Sequence, residues 1–206
     1  MADLLPLERE LWSRGRRLVA GVDEAGRGSL FGPVVAAAVV LDAAADLSGV
    51  RDSKTVPERE REALYDRLTS GLHAFAVAQV GAEEIDRTDI RRATLKAMSL
   101  AVAALTPLPD FALVDGDALP ELPCPGRAVV KGDARSASVA AASIVAKVAR
   151  DRLIRALERD YPVYGLLRNK GYGTREHLDA LARFGPTPQH RRSFRPCQIR
   201  SLWDGH

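Results

Sequence analysis

Aromatic side chains are scarce in this chain of 206 residues, at 5% of the total. A core with so few large rings must be closed by small residues at short range, and alanine and valine fill its apolar segments. Cysteine is scarcer still: Cys124 and Cys197 each stand beside a proline, in no CxxC or Cys/His cluster. That pattern argues against structural zinc and predicts two reduced thiols. No apolar run approaches the ~18–20 residues of a transmembrane helix. The opening MADLLPLERELWSRGRR is too acidic, and its apolar run too short, for a signal peptide. A cytoplasmic protein is therefore expected. Several nucleotide and catalytic motifs are missing too. Gly26-x-Gly28-x-x-x-Gly32 has one residue too many for a dinucleotide fingerprint, and no GxxxxGK[ST] occurs. Ser29 lies in no GxSxG elbow, and Asp115-Gly-Asp117 lacks the other ligands of an EF-hand loop.

What is present is unevenly placed charge and enough apolar residue, 46%, for a full core. The net charge is only +3, yet from Lys147 to Arg175 eight Lys or Arg stand against three acids. From Pro186 to His206 four Arg stand against one Asp. The last third suits a polyanion such as nucleic acid, although a solvated helix face would read the same way.

Residues 17–23 (RLVAGVD) and 33–41 (PVVAAAVVL) predict two strands buried on both faces, joined by a Gly-rich turn. Further strands are expected at 73–81, 111–117 and 127–133. Thr55-Val-Pro-Glu58 resembles a capping box opening a helix that stops at Gly71, with Leu64, Leu68 and Leu72 as its stripe. Periodicity predicts a long helix over 82–105, another over 136–160 and a last one at about 174–184. Helices flanking a sheet make an α/β layered domain over 1–160. Residues 161–206 form a small C-terminal helical extension and basic tail.

Three apolar strands end in acids: Asp23 with Glu24, Asp115, and Asp133. One such acid is commonly a cap or turn residue. Three in one small domain converge at one sheet edge if their strands are neighbours. Converging carboxylates repel and need protons or a cation to coexist. Hard oxygen ligands suit Mg²⁺ or Mn²⁺, and two such ions promote phosphodiester cleavage. An arginine held between glycines, Gly26-Arg27-Gly28, would then approach a phosphate or sugar closely.

The segments DEAGRG (23–28), GPVVAAAV (32–39), DSK (52–54), VDG (114–116), KGDARSASVAAASIVAKVARD (131–151), KGYGT (170–174) and HRRSF (190–194) resemble the bacterial ribonuclease HII family, in its order, from about Leu18 to Pro196. The resemblance implies a ribonuclease H-like mixed sheet flanked by helices, and an endonuclease acting on RNA–DNA hybrids. It also implies nicking of duplex DNA 5′ to a single ribonucleotide, leaving 3′-hydroxyl and 5′-phosphate ends. It makes Asp23, Glu24, Asp115 and Asp133 the catalytic acids and holders of two Mg²⁺ or Mn²⁺ ions. Gly26, Arg27 and Gly28 would read the 2′-hydroxyl, and Tyr172 would stack under the following sugar. Ser53, Lys54, Ser143, Lys147 and Arg150 would hold phosphates. His190-Arg191-Arg192 is left open between structure and DNA contact.

The chain departs from the family at Ser29 (more often proline), Phe31 (alanine) and Asn169 (often histidine). The related third bacterial type carries an N-terminal extension for which there is no room before the motifs. IRSLWDGH does not look like a sliding-clamp-binding peptide, so no clamp partner and no membrane are expected, and a monomer is. Three other readings share part of the pattern: a different nuclease on the same fold, a silent hybrid binder, and a metal-dependent phosphatase.

Overall fold

The computed structural model describes residues 5–42, 46–70 and 74–198. The elements run in the order α1 (Pro6–Ser13), β1 (Val19–Ala25), β2 (Val34–Val40), α2 (Glu58–Thr69), β3 (Ala74–Val80), α3 (Ala82–Arg87), α4 (Ile90–Ala103), β4 (Phe111–Asp115), β5 (Gly126–Val129), α5 (Ala137–Leu157), α6 (Leu166–Asn169) and α7 (Arg175–Phe184). Among the described residues, five strands form one mixed sheet in the order β3-β2-β1-β4-β5. β1 runs antiparallel to β2 and parallel to β4; β3 adds antiparallel to β2, and β5 parallel to β4.

The sheet is packed on both faces, as the unbroken apolar runs require. On one face Val22, Val34, Ala36 and Ala38 meet Ala97, Met98 and Ala101 of α4. On the other, Ala37 and Val39 meet Ala140, Ala141 and Ile144 of α5, with Leu64 and Leu68 of α2 behind. The small side chains let the helices lie close. At Gly21 a Cβ would sit 2.0 Å from the Ser138 backbone, so only glycine admits α5 at this distance from β1. A third cluster joins the C-terminal segment to the domain, with Tyr164, Leu166 and Leu181 packed on Leu30, Phe31 and Ile154.

Several elements differ from the sequence expectation for local reasons. The helix expected over 82–105 is two, because Asp89 caps α4 by accepting from Arg92 N and breaks the run at Thr88. The box at Thr55–Glu58 does not form: Thr55 closes a 3₁₀ turn, and the α2 N-cap is Pro57, without a side-chain cap. The strand expected over 127–133 stops at Val129, because Lys131 takes a left-handed conformation and Gly132–Ala134 coil into a 3₁₀ turn. Helix α1 was not foreseen. Its Glu8 is buried against the start of α5, where its Oε1 accepts from Ser136 Oγ, Ser138 N and Ser138 Oγ. A carboxylate there favours the helix by about 0.3–2 kcal/mol. Gly71, Leu72, the start of the strand expected at His73 and the peptide 199–206 lie outside the described residues.

Candidate active site

The site grows from the end of β1. In the parallel β1–β4 ladder Val22 pairs with Val114, which sets the next residues, Asp23 and Asp115, level. Alternation divides the adjacent acids between the two faces. Asp23 shares the α5 face with Gly21 and Ala25, whereas Glu24 lines a small cavity with Thr94, Leu95 and Met98 of α4. At the strand end the faces meet, and ligand oxygens of Asp23, Glu24 and Asp115 lie within 4.8 Å of one another. Asp133 is placed apart, on the turn after β5, with Lys54 Nζ 3.7 Å from its Oδ2.

These acids have few donors to offset their charge. Asp23 accepts from Glu24 N at 2.7 Å, and Asp115 from Gly132 N at 2.6 Å. Burial, then the charges of Glu24 and Asp115, push the pKa of Asp23 well above the carboxylate range. Burial raises Glu24 as well; Arg27 opposes this with Nη1 3.3 Å from Oε1, and Asp115 adds to it. Asp133 is raised by burial and by Asp52 and Asp115. Burial pulls Lys54 down, but Asp52, Asp133, Asp23 and Asp115 outweigh it and raise the ammonium pKa. A partly buried cluster of hard oxygen donors, two of which (Asp23 and Glu24) hold their charges reluctantly, fits divalent cations of the Mg²⁺ and Mn²⁺ kind. Asp23, Glu24 and Asp115 are the residues that would hold one.

A groove of about 330 Å³ opens over the acids. Asp23, Glu24, Asp115, Gly26, Arg27, Gly28, Ser53, Lys54, Ser143, Lys147 and Tyr172 all line it. At its floor Ser53 Oγ and Ser143 Oγ are 2.7 Å apart, and Ser143 also bonds Asp23. Lys147 donates to Asp151 at 2.6 Å, and its Nζ lies 5.7 Å from the centre of the Tyr172 ring. Lys54 projects into solvent, with a side chain 80% exposed.

Arg150 corrects the expectation that it holds phosphate. It is fully buried, and its donors are spent inside the chain: Nε on Pro33 O, Nη1 on Lys170 O, Nη2 on Ser29 Oγ and Phe31 O. It clamps segment 29–33, which follows the Gly26–Gly28 turn, to Lys170 at the start of the Tyr172 loop, with its guanidinium 5.3 Å from the centre of the Tyr172 ring. Gly26 has φ +93°, and a Cβ there would meet Arg150 Nε at 1.9 Å, so the clamp needs this glycine.

Other residues of the site carried no clear sequence signal. Arg191, in the motif left open above, is fully buried and donates to Arg27 O at 2.8 Å and Gly32 O at 3.0 Å. His190 is buried as well, and Arg192 is exposed. Arg61 reads as one polar residue among many on α2, yet it donates to Ser53 O at 2.6 Å and holds the Ser53–Lys54 turn. The three departures gather around the same loop. Ser29 Oγ donates to Gly171 O at 2.8 Å, and Asn169 joins Tyr164 O to Gly171 N. The Phe31 ring packs edge-on against His190.

No helix among the described residues is long and apolar enough to cross a membrane. The family model described as Ribonuclease HII matches residues 20–197. A ribonuclease HII of Geobacillus kaustophilus is 52% identical over 196 residues, covering 95% of this chain and 75% of that protein. The ribonuclease H2 of Pyrococcus horikoshii superposes with a TM-score of 0.76 at 31% identity, covering 87% of this chain and 95% of that one. A chain of the PCNA:RNase HII complex from Archaeoglobus fulgidus superposes with a TM-score of 0.74 at 27% identity, covering 90% and 98%. The acids level at the ends of β1 and β4, the ribonuclease H-like sheet and the match along nearly the whole length agree: the chain belongs to the ribonuclease HII family and is a metal-dependent endoribonuclease of the ribonuclease H type.

Proposed function

We propose that this enzyme, besides degrading the RNA of RNA–DNA hybrids, nicks duplex DNA on the 5′ side of a single embedded ribonucleotide, leaving 3′-hydroxyl and 5′-phosphate ends. The observation that carries this reading is a single groove lined at once by Asp23, Glu24 and Asp115, the Gly26–Gly28 turn and Tyr172. A reacting phosphate and the sugar beside it fit there together.

Two divalent ions, Mg²⁺ or Mn²⁺, would supply the Lewis acidity that activates a water and stabilises a leaving oxygen. Asp23, Glu24, Asp115 and Asp133 hold that charge in place. The Gly26-Arg27-Gly28 backbone reads the 2′-hydroxyl, the group that distinguishes RNA from DNA. Gly28 supports this role: a Cβ there would meet nothing of the protein, so internal packing does not require glycine. The open space above it suits a sugar pressed against the backbone. Tyr172 offers its ring to the following sugar. Lys54 and Lys147, with Ser53 and Ser143, position phosphates without reading bases. The enzyme acts as a cytoplasmic monomer in ribonucleotide excision.

The test is an end-labelled DNA duplex carrying one ribonucleotide, with Mg²⁺ or Mn²⁺, beside an all-DNA duplex and the Asp115→Asn enzyme. A single cut 5′ to the ribonucleotide, absent from both controls, is expected. Cutting of both duplexes would keep the acids as the reacting centre and discard the sugar sensor.

A further inference from the structure

Behind the Tyr172 loop three hydrogen bonds run in series through two fully buried histidines. Thr187 N lies 3.0 Å from His190 Nδ1, the two Nε2 atoms of His190 and His177 are 3.0 Å apart, and His177 Nδ1 lies 3.0 Å from the Tyr172 carbonyl oxygen. The ends of this series fix its direction. A backbone N–H only donates, so His190 Nδ1 carries no proton; a carbonyl only accepts, so His177 Nδ1 carries one. One proton remains for the two facing Nε2 atoms, and it sits on His190. Both rings are thus neutral, in opposite tautomers. Thr187 Oγ1, 2.9 Å from His190 Nδ1, accepts from Gln189 N and is compatible with the same assignment, because its hydroxyl proton can be donated to the ring.

We propose that His177 and His190 are positioning residues for ribonucleotide recognition, a hydrogen-bonded pair that fixes the Tyr172 loop relative to the Gly26–Gly28 turn. The proposal rests on the reading of Tyr172 as part of the sugar sensor. Tyr172 stands between Gly171 and Gly173, so its own segment supplies little torsional restraint. Its carbonyl is held from outside by His177 Nδ1, and from within by Thr174 N at 2.8 Å. The opposite wall of the groove is tied to the His190 segment. Phe31 and His190 form a backbone bridge, Arg191 N donates to Leu30 O, and Arg191 Nη1 donates to Arg27 O. The pair therefore joins a segment bound to one wall with a segment bound to the other. Two apolar side chains would fill the same space among Phe31 and Tyr164 but would leave the Tyr172 carbonyl without this donor.

The surroundings keep both rings neutral. Burial, then His177 and Arg192, lower the His190 pKa to about 3. Burial lowers His177 too, against the opposing pull of the Tyr172 carbonyl and Glu176. A proton added at His190 Nδ1 would confront the Thr187 N–H, and one added at His177 Nε2 would confront the His190 N–H, so either costs a buried hydrogen bond.

Imidazole ¹⁵N NMR of the full chain tests the wiring without relying on activity. The expected result is His177 protonated on Nδ1 and His190 on Nε2, with neither ring titrating from about pH 6 to about pH 8. The reverse tautomers, or a ring that titrates in this window, would overturn the proposal. Cleavage at a lone ribonucleotide tests the role. His177→Phe fills the space without a donor and should lower kcat by about 10- to 100-fold, with duplex affinity changed less than about twofold. His177→Asn returns a donor near the Nδ1 position and should recover most of the loss. Full activity in His177→Phe, or equal losses in both variants, would refute the role of the pair while leaving the sensor reading intact. Tyr172→Ala run alongside separates the two ideas: if it cuts like the parent enzyme, the sensor reading fails and the recognition role of the histidines falls with it.

Discussion

Two clusters of like charge flank the β1–β2 turn, and the fold treats them in opposite ways. On one side Asp23, Glu24 and Asp115 gather their carboxylates with few internal donors, and the pKa values of Asp23 and Glu24 rise. On the other side Arg150 and Arg191 are both fully buried, and most of their donors are spent on carbonyl oxygens from distant segments. Arg191 Nη2 is left without a partner, its guanidinium lying 5.3 Å from the centre of the Phe194 ring. The arginine cluster is largely closed by the protein itself and sets the shape of the groove. The acid cluster is left open for cations and substrate. Buried charge alone therefore does not mark a reacting centre; what marks it is charge whose partners the chain withholds.

The largest expected effect comes from emptying the open cluster. Asp23→Asn should lower cleavage by at least about 10³-fold, since the site loses one of the three clustered carboxylates that would hold a cation. The same change should stabilise the protein in chelator. Asp23 has a raised folded pKa, so the folded state binds more protons than the unfolded one across that window, and stability falls as pH rises through it. Removing the charge should raise the melting temperature at neutral pH by about 2–4 °C, for roughly 1 kcal/mol, with the difference closing as pH falls towards the ordinary carboxylate range. A melting temperature that drops at neutral pH would mean that this acid is already satisfied by the fold.

Opening the closed cluster should act on stability first. Arg150→Ala leaves a serine hydroxyl and three carbonyls short of a donor and should cost about 3–5 kcal/mol in denaturant unfolding. Arg150→Lys keeps the charge but not the fork and should recover only part of this. If the alanine variant stays stable but binds duplex with a salt dependence weakened by about one ion, Arg150 belongs with the phosphate contacts after all.

The smallest effect sharpens the boundary between the clusters. Gly28→Ala should change unfolding free energy by no more than about 0.5 kcal/mol, because the added Cβ meets nothing. Cutting at a lone ribonucleotide should still fall about tenfold, because the methyl occupies the space of the sugar. A stability loss as large as that of Arg150→Ala would assign Gly28 to the turn rather than to the substrate.

Much of this was legible in the linear chain, wherever the physics is local. Continuous valine and alanine runs gave strands buried on both faces, and the small apolar half of the 136–160 segment gave the helix laid against them. Acids at the ends of three predicted strands pointed to a cation centre, and two of those ends meet directly. The sequence could not show that Asp133 sits on a 3₁₀ turn, because a left-handed Lys131 has no compositional signal. Nor could it separate Lys147 from Arg150. They are two cations one helical turn apart, and the family resemblance offered both to phosphate. The tertiary structure turned Lys147 into the groove and Arg150 into the protein, because the acceptors waiting for Arg150 come from Ser29, Phe31, Pro33 and Lys170, far from it along the chain. Periodicity and strand ends report what each segment buries. Which buried charge finds partners is decided only when remote carbonyls, with no signature in the side chains that carry them, are brought within hydrogen-bonding distance.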